Sequence, residues 1–131
     1  MTTHDDIRRM IQKLPGAVEG EGEQFGVCVM VKGKPKGFAW CWREKFHPKK
    51  PKIVNNEVLA VPVRSLLEKE ILLGSNSKKF FTEPHYDGFP AVLVRLPEIE
   101  PDELEELLIE AWRCKAPAQL VKQYEESQPV H

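Results

Sequence analysis

At 131 residues the chain is long enough to bury one core without disulfides or metals, and its 41% apolar and 30% charged residues suit an ordinary globular domain. No apolar run approaches the roughly 20 residues that cross a bilayer, and a net charge of −1 gives no whole-molecule pull toward nucleic acid. The start, MTTHDDIRRM, is polar and mixed in charge rather than basic and then apolar, so a cytoplasmic protein is expected.

Thr3 is placed to cap a first helix, with Asp5 and Asp6 near its positive end. Ile7, Met10, Ile11 and Leu14 then recur at i, i+3, i+4 and i+7, one apolar stripe that Pro15-Gly16 stops. The following AVEGEGEQ alternates glycine with glutamate, shows no hydrophobic period and is expected to be a loop.

FGVCVMV (Phe25–Val31) and GFAWCW (Gly37–Trp42) are β-branched and aromatic runs on either side of KGKPK, a hairpin signal. Strict alternation puts Phe25, Val27, Val29 and Val31 on one face of the first strand, with Cys28 and Met30 opposite. In the second strand it puts Phe38, Trp40 and Trp42 together, with Ala39 and Cys41 opposite. The first strand is thus apolar on both faces. A sheet covered on one side only would leave an apolar patch, for a pocket or an interface.

REKFHPKKPKIVNN is a basic, proline-containing connection, and EVLAVPV (Glu57–Val63) is a third strand whose Pro62 marks an end or an edge. RSLLEKEILLG is a helix that starts near Arg64 or Ser65, with Gly74 as its C′ residue. KFFT and AVLVRLP are two more strands. Pro101 opens a helix with Asp102 and Glu103 in its first turn and a buried face of Leu104, Leu107, Leu108, Ala111 and Trp112. Ala116-Pro117 interrupts it, and Leu120, Val121 and Tyr124 carry a last helix. This order predicts one α+β domain over residues 1–126, helices packed on a mainly antiparallel sheet, with a disordered tail at 127–131.

Cys28, Cys41 and Cys114, at spacings of 13 and 73, match neither a disulfide framework nor a zinc ribbon. They are expected to be free thiols, with Cys28 and Cys41 buried among apolar neighbours. His47 is the other mid-chain histidine besides His85, and no metal-ligand spacing, P-loop, G-x-S-x-G or G-x-G-x-x-G is present. No cofactor or metal is therefore expected, and no catalytic residue is assigned.

Charge is unevenly spread. Residues 32–52 hold Lys32, Lys34, Lys36, Arg43, Lys45, Lys49, Lys50 and Lys52 against Glu44 alone, a local +7. Residues 97–126 hold nine acids against Arg113, Lys115 and Lys122, a local −6. The acids between Glu98 and Glu110 fill the positions between the helix's leucines, as a solvated face does. The basic segment could follow a phosphate backbone, its hairpin tip forming one wing and HPKKPK a second arm; equally, lysines on a turn keep it soluble. Lysines outnumber arginines seven to one there, which favours phosphate contact over guanine readout.

Two further features have alternative readings. Trp40 and Trp42 could stack on a flat ligand or form core under the helices. His85, Tyr86 and Asp87, in FFTEPHYDGFPAVLVRL, could be a ligand contact, an acid–base pair or a structural turn. The turn accounts for more of the residues: Pro84 and Pro90 extend their predecessors, and Asp87-Gly88 is a turn dipeptide.

KLPGAVEG after the first helix, FFTEPHYDGFPAVLVRL and DELEELLIEAWRCKAPAQLV together resemble the MmcQ/YjbR family, over roughly residues 4 to 124. These small bacterial proteins have a fold similar to that of CyaY, the bacterial frataxin. The resemblance implies a CyaY-like layout and DNA binding by a double wing of β-hairpins. GFPAVLV stands where the better-known branch carries a histidine-tryptophan pair, so the likeness is to a sub-branch. The frataxins' acidic, iron-binding ridge is not matched, because Arg8 and Arg9 accompany Asp5 and Asp6 and the first strand has no carboxylate. The leading expectation is a non-enzymatic module that binds DNA through the eight basic residues of 32–52. The alternative is a small-molecule or protein-interaction domain using Trp40, Trp42, His85 and Tyr86 around an apolar cleft.

Overall fold

The computed structural model describes residues 1–44 and 53–128. Lys45, Lys49, Lys50, Lys52, His47 and the last three residues of the expected tail lie outside them.

Thr3 starts helix α1 (His4–Ile11) with a reciprocal cap: its hydroxyl accepts from Asp6 N at 3.1 Å and its own N–H donates to the Asp6 carboxylate at 2.9 Å. Those bonds hold the Asp6 carboxyl below its ordinary range. The apolar stripe Ile7, Met10 and Ile11 is buried, as its spacing predicts. Gly16 then takes a φ of +73°, and the chain turns into strand β1 (Ala17–Glu19). This corrects the expected loop. Three residues are too few to show a period, and β1 exists because the neighbouring strand offers an unpaired edge: Ala17 lies opposite Val29, Val18 opposite Cys28 and Glu19 opposite Val27.

Strands β2 (Gly26–Val31) and β3 (Lys34–Glu44) form the predicted hairpin. Lys32 and Gly33 both have positive φ, 53° and 80°, the pattern of a two-residue I′ turn whose twist matches the strands. β4 (Ile53–Pro62) follows, then helix α2 (Leu66–Ser75), β5 (Phe80–Phe81), a 3-10 turn (Pro84–Tyr86), β6 (Ala91–Arg95), and helices α3 (Pro101–Lys115) and α4 (Ala118–Ser127). Ser65 caps α2, accepting from Glu68 N, but Gly74 lies inside the helix, and Asn76 ends it. Helix α4 runs through Ser127, the first residue of the stretch expected to be a disordered tail.

Among the described residues six strands make one antiparallel sheet in the order β1-β2-β3-β4-β6-β5. Four helices and this sheet form an α+β domain, as the sequence predicts. The main core lies between the sheet and α1 and α3: Ile7, Val27, Val29, Leu59, Val92, Val94, Leu104, Leu108 and Trp112 are all buried. α4 leans on it through Tyr124, whose ring meets that of Trp112 at 5.4 Å. Trp112 Nε1 donates to the Pro15 carbonyl at 3.1 Å, and Thr2 donates through its amide and hydroxyl to Leu96 and Ile99, fastening the first residues beneath α3.

The acids of α3 are its outer face, as expected, and several are engaged: Glu103 by Lys79 at 2.6 Å, Glu105 by Lys13 at 3.5 Å and Glu110 by Arg113 at 3.8 Å. Leu108→Ala should therefore cost about 2–5 kcal/mol in urea unfolding. Glu106→Ala, on the opposite side of the same helix, should stay within about 0.5 kcal/mol.

Candidate functional site

Lys32, Lys34 and Lys36 are all exposed on the β2–β3 hairpin. Register places Lys34 opposite Val31 and Lys36 opposite Val29, so these two share a face while Lys32 occupies the turn. None of the three has an ion-pair partner among the described residues. Arg8, Arg9, Lys13, Arg64, Lys79, Arg113 and Lys122 each lie within 4.0 Å of a carboxylate. Arg43 differs from the hairpin lysines, since its Nε donates to Gln24 at 3.1 Å.

The expected stripe of Phe38, Trp40 and Trp42 does not form. Cys28 pairs with Gly37 and Val27 with Ala39, leaving Phe38 as the extra residue of a β-bulge. Phe38 consequently joins Ala39 and Cys41 in the helix-side core, and only Trp40 and Trp42 reach the other face. Alternation predicts the faces correctly until one residue is inserted, after which every later side chain reverses.

On that second face Trp40 and Trp42 pack with Phe81 against buried Val58, Ala60, Tyr86, Ala91 and Leu93. The tyrosine comes from the 3-10 turn, 46 residues away in sequence from Trp40, whose Nε1 donates to its hydroxyl at 3.0 Å. Its ring also meets Trp42 at 5.3 Å, His85 edge-on at 5.5 Å and Phe89 at 6.0 Å. The four residues expected around an apolar cleft are thus brought together, but Trp40 and Tyr86 spend their polar atoms on each other. The cavity nearby, of about 530 Å³, is lined instead by Asn55, Glu57, Val58, Phe81, Glu83 and Arg95 and is chiefly polar. Arg95 is already placed, its guanidinium 4.0 Å above the Phe81 ring and bonded to the Ser77 carbonyl.

The turn reading of the 84–89 segment holds. Tyr86 N donates to Glu83 O, and Phe89 N to Tyr86 O at 3.0 Å across Asp87 (φ −61°, ψ 131°) and Gly88 (φ 75°), a type II turn. No hydrogen bond joins His85 to Asp87 among the described residues, and both are exposed. What fixes the segment is Lys69 of α2, 5% exposed, whose ammonium donates to Tyr86 O at 2.6 Å and Phe89 O at 2.9 Å. A lysine in LLEKEILL reads as helix surface. The signal available was its place three and four residues before Leu72 and Leu73, the inward side of α2.

Among the described residues no group of three His, Cys, Asp or Glu side chains is arranged for a metal ion. Cys41 is fully buried, as expected, and burial pushes its thiol up to about 11; its sulfur lies 3.9 Å from His4 Nε2, which bonds the Asn56 carbonyl at 2.7 Å. That histidine stacks on Phe25 at 4.0 Å and serves the core edge. Cys28 is half-buried rather than buried, and Cys114 is exposed on α3.

Fold and site together describe an α+β domain with one helix-covered sheet face and one face closed locally by an aromatic loop. The chain is 35% identical over 124 residues to uncharacterized proteins of Mycobacterium tuberculosis and Mycobacterium bovis, covering 95% of its own length and 96% of theirs. It belongs to the same family as these mycobacterial proteins. Among solved structures it is similar to Deinococcus radiodurans protein DR2400, a DUF419 domain, with a TM-score of 0.66, 19% identity, and 100% of this chain and 97% of that one covered. That likeness is one of fold. No protein-family model matches the chain. Among the described residues no helix is long and apolar enough to cross a membrane.

Two outcomes follow from this geometry. Lys69→Met leaves two carbonyls without their donor and should destabilise the protein by about 1–3 kcal/mol per carbonyl lost, with a change in tryptophan emission as Tyr86 loosens from Trp40. Alkylation of the native protein at neutral pH should modify Cys114 first and Cys41 last, read by mass spectrometry of the digested chain.

Proposed function

We propose that this chain is a non-enzymatic binding module of the MmcQ/YjbR type that holds duplex DNA without reading its sequence. The observation that carries the reading is the set of ammonium groups on Lys32, Lys34 and Lys36, exposed on one hairpin and without an ion-pair partner among the described residues, whereas Arg8, Lys13, Arg64, Lys79 and Arg113 each sit beside a carboxylate. Cations without internal partners keep their full attraction for phosphate and release condensed counterions on contact. The I′ turn supports this, because it holds Lys32 in one backbone conformation and leaves little ordering to be done on binding. Arg43 and, in the sequence, Lys45, Lys49, Lys50 and Lys52 add to the positive charge of this stretch. The lysine-rich composition fits phosphate contact more than base readout.

A second reading is favoured by the meeting of Trp40, Trp42, His85 and Tyr86: a small molecule or protein segment lying along the aromatic face, with exposed His85 and Phe89 at its border. Quenching or shift of tryptophan emission in a metabolite screen, abolished by His85→Ala, would favour it over DNA.

The DNA reading predicts that log K falls with log salt at a slope of about −3 or steeper, for three or more phosphates neutralised. Replacing Lys32, Lys34 and Lys36 together by glutamate should abolish binding at low salt. Absence of binding by the natural chain at low salt, or an unchanged slope in the triple variant, removes the proposal.

A further inference from the structure

A cavity of about 260 Å³ lies between α2 and the segment that leads into the type II turn. Its lining includes Leu66, Lys69, Glu70, Leu73, Thr82 and Asp87. None of these belongs to the lysine hairpin or to the tryptophan face.

Two of these groups are polar, buried and incompletely used. Lys69 is 5% exposed, gives two N–H bonds to the Tyr86 and Phe89 carbonyls, and has no carboxylate partner among the described residues. An ammonium has three N–H donors, and a charge removed from water without a counter-charge is costly. Thr82 Oγ1 is buried with no hydrogen-bond partner. A buried hydroxyl in that state also carries a desolvation cost. Lys69 and Thr82 both line this cavity, and an ammonium and a hydroxyl together are the complement of a carboxylate, which accepts from both.

The rim has the opposite sign. Glu70 and Asp87 are exposed, and neither has an ion-pair partner among the described residues. A simple anion would be drawn to Lys69 and repelled at the rim, and a simple cation would meet the reverse. A molecule carrying both charges a few atoms apart satisfies both. Leu66 and Leu73 line the same space and supply an apolar wall. The volume falls below the about 300–1,000 Å³ of drug-sized pockets and suits something of amino-acid size.

We propose that this cavity is a binding site for a small zwitterion, a free α-amino acid with an aliphatic side chain. Its carboxylate bonds Lys69 Nζ and, with Thr82 turned about χ1, the otherwise unpartnered Thr82 Oγ1; its ammonium faces Asp87 and Glu70, and its side chain lies on Leu66 and Leu73.

The test is an amide-resolved NMR titration of the whole chain with three probes: L-leucine, 4-methylpentanoate, which lacks the amine, and 3-methylbutylamine, which lacks the carboxylate. Leucine should produce saturable shifts at Lys69, Thr82, Asp87 and Gly88, and each truncated probe should bind at least about tenfold more weakly. Thr82→Val, nearly isosteric, should weaken leucine by about tenfold while leaving the unfolding midpoint unchanged or raised, since it removes an unsatisfied hydroxyl. Asp87→Asn should weaken leucine but not 4-methylpentanoate. These variants leave the Lys69 clamp intact, so loss of binding is separable from loss of fold. No saturable shift with leucine, equal response to all three probes, or unchanged affinity in Thr82→Val overturns the proposal; in each case water alone satisfies the cavity.

Discussion

The bulge at Phe38 sets what the rest of the molecule can do. One extra residue in β3 lets Phe38 and Ala39 both turn toward α3, while Trp40 and Trp42 emerge on the far side. Without it, β3 would present Phe38, Trp40 and Trp42 on a single face, and the helix side would lose a fully buried phenylalanine. A second irregularity follows between Cys41 and Trp42, where Trp42 pairs with Asn55 rather than with the residue next to Leu59. Bulges increase local twist, and Asn55, Glu57 and Val58 of the irregular stretch of β4 line the polar cavity beside Phe81.

The two-sided sheet creates a covering problem that helices packed on one face do not solve. The 84–89 segment solves it locally, with Tyr86 as the inserted side chain and the Trp40 indole as its hydrogen-bond partner. Such an insertion needs the loop's backbone to be held, and the donor that holds it is a buried ammonium on the helix side. A single lysine therefore couples α2 to an aromatic cluster on the opposite face of the sheet. The coupling is mechanical: whatever displaces Lys69 from its carbonyls also shifts the ring packed on Trp42.

Much of the fold was legible in the sequence because its signals are local. Thr3 as N-cap, the Ile7–Leu14 stripe and Pro101 at a helix start each depend on a few neighbouring residues and hold in the structure, and the Ala91–Pro97 run is a strand through Arg95. β1 was not legible, since three residues of Ala-Val-Glu become a strand only when a partner edge is present. Gly74 misled because a glycine near a helix end marks a stop only where the chain needs positive φ, and here the helix continues to Ser75. The candidate residues were found in part. Trp40, Trp42, His85 and Tyr86 do meet, but nothing in the letters shows that Tyr86 turns inward to bond Trp40, or that Lys69 and Thr82 line one cavity. Those are properties of tertiary packing, and sequence period reports only which side of an element a residue occupies.

The order of strands has a consequence for how this protein behaves in a crowded solution. Both borders of the sheet are its shortest members, β1 with three residues and β5 with two, while the eleven-residue β3 and ten-residue β4 lie inside. A long strand at a border would be a template for another chain's backbone. With the long strands inside the sheet, its two borders are left with two short strands, and so little backbone at either that strand-by-strand addition of further copies has little to grip there.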